Sequence, residues 1–410
     1  MTMTLREETL KMHLENNGKL AVTCKVPLEN RHDLAVAYTP GVAEPCKEIK
    51  DKKEMSFEYT CRGNMVAIVS DGTRVLGLGD IGPEAAMPVM EGKAVLFKTF
   101  GDVDAVPVCL GTKDADEFIR TVEILQPSFA GINLEDISSP KCYDIEDRLK
   151  EICDIPVFHD DQHGTAIACL SAVLGGLRYV KKDIKTAKFV VNGCGAAGSA
   201  IGRLLVSMGA ENVIMVDRFG ALYEGMDAQL DRIQAYLASV TNKEHKQGTL
   251  ADVAKGADVL IGVSAPNVFT KEIMQSMAEK SIVFALANPV PETTYDAAKE
   301  AGVAVAGTGR SDSPNQVNNV TVFPGVFRGA IDVRARAITE EMKVAAVYAI
   351  AELIDEKDLR EDYVVPDAFD PRVAPAVAAA VAKVAIESGL ARKIVDPEEV
   401  RANTAKRVGR

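Results

Sequence analysis

Residues 188–217 read KFVVNGCGAAGSAIGRLLVSMGAENVIMVD, and this stretch decides the fold of the second half of the chain. An apolar run at 189–191 leads into three glycines spaced G-x-G-x-x-G. A segment with helical apolar spacing follows, and a second apolar run ends in Asp217. A strand, a glycine loop, a helix and a second strand in this order are typical of dinucleotide-binding folds. The pattern therefore predicts a nucleotide-binding domain here.

The glycines of this loop are Gly193, Gly195 and Gly198, and each has a physical role. The first permits a tight turn, the second lets a pyrophosphate approach the backbone, and the third lets the helix pack closely on the strand. The helix then begins with Ala196 and Ala197, whose free N–H groups and partial positive charge favour phosphate. We predict that these five residues bind the pyrophosphate of a nicotinamide dinucleotide.

The choice between NAD and NADP depends on the end of the second strand. Asp217 is placed to accept hydrogen bonds from the ribose hydroxyls of the adenosine, and its charge would repel the extra phosphate of NADP. The neighbouring Arg218 offers that phosphate a partner. The sequence therefore favours NAD and leaves NADP open.

The same glycine spacing also occurs in the first half of the chain, at Gly77, Gly79 and Gly82. Pro83 follows directly, and no clean strand ending in an acid comes about 20 residues later, as the dinucleotide motif requires. We therefore interpret this first glycine loop as a turn.

The pattern along the chain predicts an α/β protein with two domains. Residues 1–162 form an α/β substrate domain, and residues 163–410 form a Rossmann-type domain with a doubly wound parallel sheet and C-terminal helices. Apolar runs predict strands at 65–70, 75–79, 94–100, 105–110, 155–161, 188–193, 212–217, 258–264, 281–289 and 303–309. Apolar periodicity predicts helices at 115–125, 143–152, 163–180, 196–208, 223–240, 339–354 and 374–388.

Composition excludes several classes of function. The chain of 410 residues carries a net charge of −12, which disfavours nucleic acid as a partner. No apolar run is long enough to cross a bilayer, and the N-terminus lacks the apolar core of a signal peptide, so we expect no membrane role and a cytoplasmic location. The eight cysteines contain no C-x-x-C pair and fit buried thiols better than a disulfide framework, a zinc cluster or a nucleophile.

Two acidic pairs follow apolar strands in the first domain, Glu135-Asp136 and Asp160-Asp161. Carboxylates that converge at the carboxyl edge of a sheet repel one another unless a cation neutralises them, and oxygen ligands select Mg²⁺ or Mn²⁺. Solvated acids at the starts of loops are the alternative. Zinc bound through His159 and His163 is disfavoured because no cysteine lies nearby. A dinucleotide site with a hard metal indicates a metal-assisted dehydrogenase, either with or without a decarboxylation step.

The sequences of several segments resemble those of the malic enzymes, particularly the shorter bacterial type. The resemblance runs in order along most of the chain, through AYTPGV (37–42), SDGTRVLGLGD (70–80), MEGK (90–93), NLED (133–136), HDDQHGT (159–165), ANP (287–289) and NQVNNV (315–320).

The resemblance implies roles for the residues at these positions. Tyr38 matches the general acid that protonates enolpyruvate, and Lys93 matches the base that takes the proton of the malate hydroxyl. A lysine acts as a base only if its pKa falls, through burial or a nearby cation. Asp160 is expected beside Lys93 and helps to orient it.

The remaining matches concern ligands. The resemblance makes Glu135, Asp136 and Asp161 the metal ligands. Arg74 matches an arginine that binds a substrate carboxylate through its bidentate fork. The amides of Asn288 and Asn319 match groups that bind the substrate from the cofactor domain, and Asn288 also faces the cofactor.

The implied function is oxidative decarboxylation of L-malate to pyruvate and CO₂, with NAD(P)⁺ reduced and Mg²⁺ or Mn²⁺ required. A malolactic enzyme, an oxaloacetate decarboxylase and a non-catalytic dinucleotide sensor on the same scaffold are the alternatives. A sensor has no need of an acid, a base and metal ligands together. The resemblance also implies a homodimer or a dimer of dimers.

Overall fold

The computed structural model describes residues 3–226 and 229–409. The strands are β1 (Met65–Ser70), β2 (Asp104–Cys109), β3 (Gly131–Leu134), β4 (Val157–His159), β5 (Lys188–Asn192), β6 (Asn212–Asp217), β7 (Gly220–Ala221), β8 (Val259–Gly262), β9 (Ile282–Ala285) and β10 (Val305–Thr308). The helices up to the middle of the chain are α1 (Leu5–Asn16), α2 (Arg31–Ala37), α3 (Ala43–Asp51), α4 (Ser56–Tyr59), α5 (Pro83–Gly101), α6 (Ala115–Leu125), α7 (Lys141–Ile152) and α8 (Asp160–Val180). The later helices are α9 (Ala196–Ser207), α10 (Arg232–Val240), α11 (Leu250–Val253), α12 (Lys271–Gln275), α13 (Tyr295–Glu300), α14 (Phe323–Asp332), α15 (Glu340–Ala351), α16 (Val373–Glu387) and α17 (Pro397–Val408).

Two sheets confirm the predicted α/β class. The first is parallel with strand order β2-β1-β3-β4, and the second has the order β10-β9-β8-β5-β6-β7, parallel except for the short β7. In the second sheet β5 lies between β6 and β8, so the order reverses at the carboxyl end of β5. That reversal point is where doubly wound sheets bind ligands. The 21-residue helix α8 joins the two sheets and crosses the predicted boundary at residues 162 and 163.

The strand predicted at 94–100 is wrong, because these residues belong to α5. The buried residues of this helix include Met90, Lys93, Ala94 and Phe97, whose spacing of three and four is that of one helix face. A short apolar run does not distinguish a buried strand from the buried stripe of a helix.

Two further elements differ from the prediction. Residues 75–79 form a turn closed by a single bridge between Val75 and Gly79, with Leu76 and Leu78 exposed, which also confirms the first glycine loop as a turn. The helix predicted at 223–240 begins only at 232, where Asp231 caps it; residues 227 and 228 of that prediction lie outside the described residues.

The C-terminal helices pack back onto the first domain. The ring of Phe97 in α5 lies 4.6 Å from that of Phe323 and 5.3 Å from that of Phe327, both in α14. One buried apolar cluster therefore runs from the first sheet through α8 to α14–α16. In the described part of the chain, no helix has the length and apolar character needed to span a bilayer.

Candidate active site

Lys93 is the centre of a buried charged cluster between the two domains. It lies on the buried face of α5 with 7% of its surface exposed. Its Nζ donates to Oε1 of Glu135 at 2.9 Å and also binds Asp160, and it lies 4.2 Å from the centre of the Phe323 ring. A buried ammonium group is tolerated only when it is paired, and here two carboxylates pair it.

Asp160 joins the two domains at this cluster. It is the first residue of α8, it is fully buried, and its Oδ2 accepts a 2.5 Å hydrogen bond from Nδ2 of Asn319. Gly164 lies one turn further along the helix, where an added Cβ would lie 1.8 Å from Oδ1 of Asp160 and 3.2 Å from Cβ of Asn319. A glycine is therefore required for this close approach.

The three predicted metal ligands follow the ends of β3 and β4 along the chain. Oδ2 of Asp161 accepts a hydrogen bond from the backbone N–H of Asp136 at 2.8 Å, and Oε2 of Glu135 accepts one from Asn133 at 2.8 Å. Oδ2 of Asp136 and Oδ1 of Asp160 are buried without a hydrogen-bond partner among the described residues. Within 3–226 and 229–409, no three His, Cys, Asp or Glu side chains converge closely enough to form a metal centre.

The cluster contains several buried carboxyl groups close together, and this environment shifts their pKa values. Burial, together with the charge of Asp161, raises the pKa of Asp136 to about 7, and burial raises the pKa of Asp160 to about 6. Burial also raises the pKa of Glu135 well above its usual range. The pKa of Lys93 is lowered by burial, but the charges of Asp160 and Glu135 outweigh burial and raise it. The cluster therefore holds more carboxylates than its one ammonium group can neutralise.

Asp161 differs from the other acids of the cluster. Burial opposes its charge, but a 3.1 Å hydrogen bond from Nε2 of His159 outweighs burial and lowers the pKa of Asp161. The same contact acts on the imidazole: burial lowers the pKa of His159, and the hydrogen bond to Asp161 raises it above its usual range.

The glycine loop follows β5, as predicted. Gly193 has φ of 115°, and a Cβ there would lie 2.6 Å from the carbonyl oxygen of Val263, so only glycine fits. A Cβ on Gly198 would lie 1.7 Å from the carbonyl oxygen of Gly193. Helix α9 begins at Ala196 with Gly195 as its N-cap, and no side chain caps its first N–H groups. These groups are the donors that a phosphate takes at a helix N-terminus.

Asp217 lies at the carboxyl end of β6, as the strand pattern of the sequence predicts. Its Oδ2 accepts a hydrogen bond from Nε2 of Gln234, and its Oδ1 accepts one from the backbone N–H of Arg218, both at 2.6 Å. The exposed guanidinium of Arg218 lies 4.7 Å from the centre of the Phe219 ring. The carboxylate is therefore fixed at the strand end, while the arginine lies beside it on the surface.

Residues of the first domain face this loop. Oγ of Ser139 lies 3.9 Å from the position of a Cβ on Gly195. The turn that carries Gly77 lies against the segment containing Asn288, with only 2.6 Å between a Cβ on Gly77 and Cδ of Pro289. Arg74, in the same turn, donates its backbone N–H to the carbonyl of Asp136, and its side chain is exposed. The substrate-side segment and the cofactor domain thus form the two walls of one cleft.

Tyr38 is not part of this cleft within its own chain. It ends α2, and its side chain is 67% exposed. It belongs to an N-terminal arm, which we define as residues 5–59, and none of the residues in helices α1–α4 of the arm is buried. Among the described residues its hydroxyl has no hydrogen-bond partner.

Sequence reasoning missed the polar residues behind the cluster. Glu146 of α7 accepts hydrogen bonds from Gln162 at 3.0 Å and from His163 at 2.8 Å, and Lys343 of α15 lies 3.2 Å from Nδ1 of His163. Gln162 and His163 stand in the quoted HDDQHGT motif, which was the available signal. No sequence signal indicated that Glu146 and Lys343 contact these residues, because their helices are far apart along the chain.

Comparison with known proteins agrees with this geometry. The family described as malic enzyme, N-terminal domain, matches residues 17–150, and the family described as malic enzyme, NAD binding domain, matches residues 162–386. The chain belongs to the malic enzyme family. Membership confirms the predicted family and makes the chain an oxidoreductase with a nicotinamide cofactor.

Relatives of this family cover nearly the whole chain. The bifunctional malic/malolactic enzyme of Bacillus subtilis is 56% identical over 404 residues, 98% of each chain. The NAD-dependent malic enzyme of Geobacillus stearothermophilus is 50% identical over 95% of this chain and 81% of its own. The crystal structure of the Pyrococcus horikoshii malic enzyme superposes with a TM-score of 0.96 at 46% identity, over 99% of this chain and 96% of that one.

Proposed function

We propose that this chain catalyses the oxidative decarboxylation of L-malate to pyruvate and CO₂, with reduction of NAD⁺. The observation that carries the proposal is the buried Lys93, which is paired with Glu135 and Asp160 of the first domain while Asn319 of the second domain binds the same Asp160. This arrangement supports Lys93 as the proposed base, because its amine lies between a cluster of carboxylates and the dinucleotide domain. The names of the relatives above support the same reaction.

In this proposal Lys93 removes the proton of the malate hydroxyl, and Asp160 orients its amine. The neighbouring carboxylates hold the proton on Lys93, so their negative charge must be offset before the lysine can act as a base. A divalent cation held by Glu135, Asp136 and Asp161 would offset it. The orphaned Oδ2 of Asp136 and the oxygen chemistry of the three side chains fit such a cation, and the three carboxylates would have to move closer together to bind it.

The other residues bind and orient the reactants. Arg74 holds a carboxylate of malate, and the amides of Asn288 and Asn319 bind the substrate from the second domain, with Asn288 also facing the nicotinamide. Tyr38 delivers a proton to the carbon that has lost CO₂. When bound, Mg²⁺ or Mn²⁺ supplies positive charge for the substrate oxygens, and the nicotinamide supplies a hydride acceptor.

The dinucleotide is held by the loop from Gly193 to Gly198, with Ala196 and Ala197 at the helix N-terminus. We propose NAD as the preferred cofactor because Asp217 is fixed at the end of β6 by Gln234. Arg218 keeps NADP as the second candidate. The ratio of kcat/KM for NAD⁺ and NADP⁺ tests this choice: a ratio above about tenfold in favour of NAD⁺ is expected, and a preference for NADP⁺ would contradict it.

The reaction is tested by its products. With L-malate, Mn²⁺ and NAD⁺, we expect NADH, pyruvate and CO₂ in equal amounts. Chelation of the metal, or Asp161→Ala, should remove the activity. The similarity to the Bacillus subtilis bifunctional enzyme favours a second candidate, malolactic activity, which would give lactate without accumulation of NADH. Full activity of Asp161→Ala without an added ion would exclude the metal role.

We further propose that the chain works as a homodimer, or as a dimer of such dimers, with the N-terminal arm covered by a second copy. The arm exposes many large apolar side chains, among them Leu5, Leu14, Val22, Val26 and Leu28. Exposed apolar surface of this extent marks an interaction site. Tyr38 lies on the same arm, so in the proposed dimer its side chain enters the cleft of the second copy. Light scattering should give twice or four times the mass of the chain, and a monomer would contradict the proposal.

A further inference from the structure

Gln162 lies behind the metal-ligand candidate Asp161 and contacts three other polar side chains. It is fully buried in the first turn of α8. Its Oε1 accepts from Nη2 of Arg203 at 3.1 Å, its Nε2 donates to Oε2 of Glu146 at 3.0 Å, and the same Nε2 lies 2.8 Å from Nδ1 of His159. Every polar atom of the amide is therefore engaged.

These partners fix the orientation of the amide. A guanidinium can only donate, so the carbonyl oxygen of Gln162 must face Arg203. The carboxylate of Glu146 can only accept, so the amide nitrogen must face Glu146. The second side of that nitrogen faces Nδ1 of His159, 2.8 Å away.

The orientation of the amide passes to Asp161 through the imidazole. On the opposite side of the ring, Nε2 of His159 donates to Oδ2 of Asp161 at 3.1 Å. The imidazole is thus held between the amide of Gln162 and the carboxylate of Asp161, so a displaced amide would displace the carboxylate as well.

One oxygen of Asp161 is thereby fully used. Oδ2 accepts from Nε2 of His159 and also from the backbone N–H of Asp136, at 2.8 Å. Among the described residues, Oδ1 has no hydrogen-bond donor. The carboxylate is held by one oxygen, and the other is left for a ligand.

We propose that Gln162 is a positioning residue that locks His159, and through it Asp161, in the orientation that presents Oδ1 to a divalent cation. Arg203 anchors this chain of contacts from α9, the helix that begins at the glycine loop. The inference rests on the proposed function, because it takes Asp161 as a metal ligand. Residues that orient a ligand in this way change metal affinity by about 10- to 100-fold.

The test is Mn²⁺ binding to the full chain, followed by electron paramagnetic resonance of the free ion without malate or cofactor. Gln162→Met keeps the volume of the side chain and removes the amide, and we expect its Kd for Mn²⁺ to rise by about tenfold or more. Its affinity for NAD⁺ should stay within about twofold of the parent chain. Ser171→Ala is the matched control: among the residues that the structure describes, this buried serine of α8 bonds only to the carbonyls of Ile167 and Val347. It should leave Mn²⁺ binding unchanged.

A second variant and a spectroscopic readout separate positioning from a loss of structure. Arg203→Met should weaken Mn²⁺ binding less than Gln162→Met, and the double variant should be no weaker than Gln162→Met, because both act through one chain of contacts. In the ¹⁵N spectrum of the five histidines, the ring signals of His159 should shift in Gln162→Met and stay unchanged in Ser171→Ala.

The outcomes are distinct. A folded Gln162→Met variant with the parent Kd for Mn²⁺ would overturn the inference. If that variant does not fold, Arg203→Met decides: a raised Kd supports the inference, and an unchanged one overturns it. If the parent chain and Asp161→Ala bind Mn²⁺ equally weakly, the proposed metal function fails instead.

Discussion

Tyr38 and Lys93 are assigned to the two proton transfers of one reaction, yet the chain gives them opposite surroundings. Lys93 is 7% exposed and held by two carboxylates, whereas Tyr38 is 67% exposed on an arm whose helices contain no buried residue. The base is thus positioned by the fold of a single chain. The Tyr38 hydroxyl has no hydrogen-bond partner among the described residues of its own chain. The difference teaches that a single chain builds the surroundings of Lys93 but not those of the Tyr38 side chain, and the proposed dimer would supply the latter.

The largest effect is expected at the buried centre. Lys93→Ala should lower kcat for malate oxidation by about 10³-fold or more, because the variant removes the base and leaves Asp160 and Glu135 without their cation. Lys98→Ala is the matched control, since Lys98 lies on the same helix but is exposed and pairs with Asp102. Steady-state kinetics with both variants checks this expectation, and near-normal oxidation by Lys93→Ala would show that the base is another group.

The buried polar residues behind the Lys93 cluster are expected to stabilise the folded chain. Glu146→Gln removes a carboxylate that binds His163, Gln162 and Lys150, and breaking such a buried network costs about 3–5 kcal/mol. Asp144→Asn, on the exposed face of the same helix, should change the free energy of unfolding by less than about 0.5 kcal/mol. Urea denaturation measures both.

The same variant has a pH signature. Burial opposes the charge of Glu146, but His163 and Lys150 outweigh it and hold the pKa of Glu146 well below its usual range. A lowered pKa in the folded state contributes stability that is full above the unfolded value and is lost as the pH falls through the folded value. The deficit of Glu146→Gln should therefore be full at pH 7 and shrink below about pH 4. A deficit that grows on acidification would contradict this sign.

A smaller effect is expected on the arm. Tyr38→Phe should slow the enolisation of pyruvate by about 10²-fold, because the hydroxyl that exchanges a proton with that carbon is lost, while hydride transfer is less affected. Tyr59→Phe changes another exposed tyrosine of the arm and serves as its control. Exchange of the pyruvate methyl protons in deuterated water reports the step. An unchanged exchange rate in Tyr38→Phe would remove Tyr38 from the mechanism.

The smallest effect is expected for the stability of the single chain. Leu10→Gln with Leu14→Gln changes two exposed side chains of α1, and it should alter the free energy of unfolding of a dilute monomer by less than about 0.5 kcal/mol. Dimer dissociation, followed by analytical ultracentrifugation, should nevertheless become measurably easier. Unchanged dissociation would mean that a partner does not cover this part of the arm.

The sequence predicted the second domain better than the first, for a physical reason. Residues 188–217 carry strand, turn and helix signals that agree with one another, and β5, α9 and β6 follow them closely. Residues 94–100 carry only an apolar run, which is equally compatible with a strand and with the buried face of a helix. In the structure these residues are helical, and α5 packs against α14. A local sequence pattern is sufficient to predict strands and helices where several signals agree.

The site was predicted through motifs, so only residues within motifs were found. Asp160 lies beside Lys93 as the resemblance implies, whereas the anchoring of Gln162 by Arg203 depends on how α8 and α9 pack. No spacing rule gives that contact. Nor does a motif show that Tyr38 lies outside the cleft of its own chain, because exposure is a property of the folded arm.

The measurement that tests the central claim most directly is a mixing experiment with Lys93→Ala and Tyr38→Phe. In the conversion of malate to pyruvate, which needs both proton transfers, each variant alone should be strongly impaired. After the two are mixed and allowed to exchange subunits, a site built from Tyr38 of one copy and Lys93 of the other is intact once in each mixed dimer, so about a quarter of the parent activity should return. If mixed dimers form and no activity returns, Tyr38 and Lys93 do not act together across two copies, and the account of the completed site is wrong.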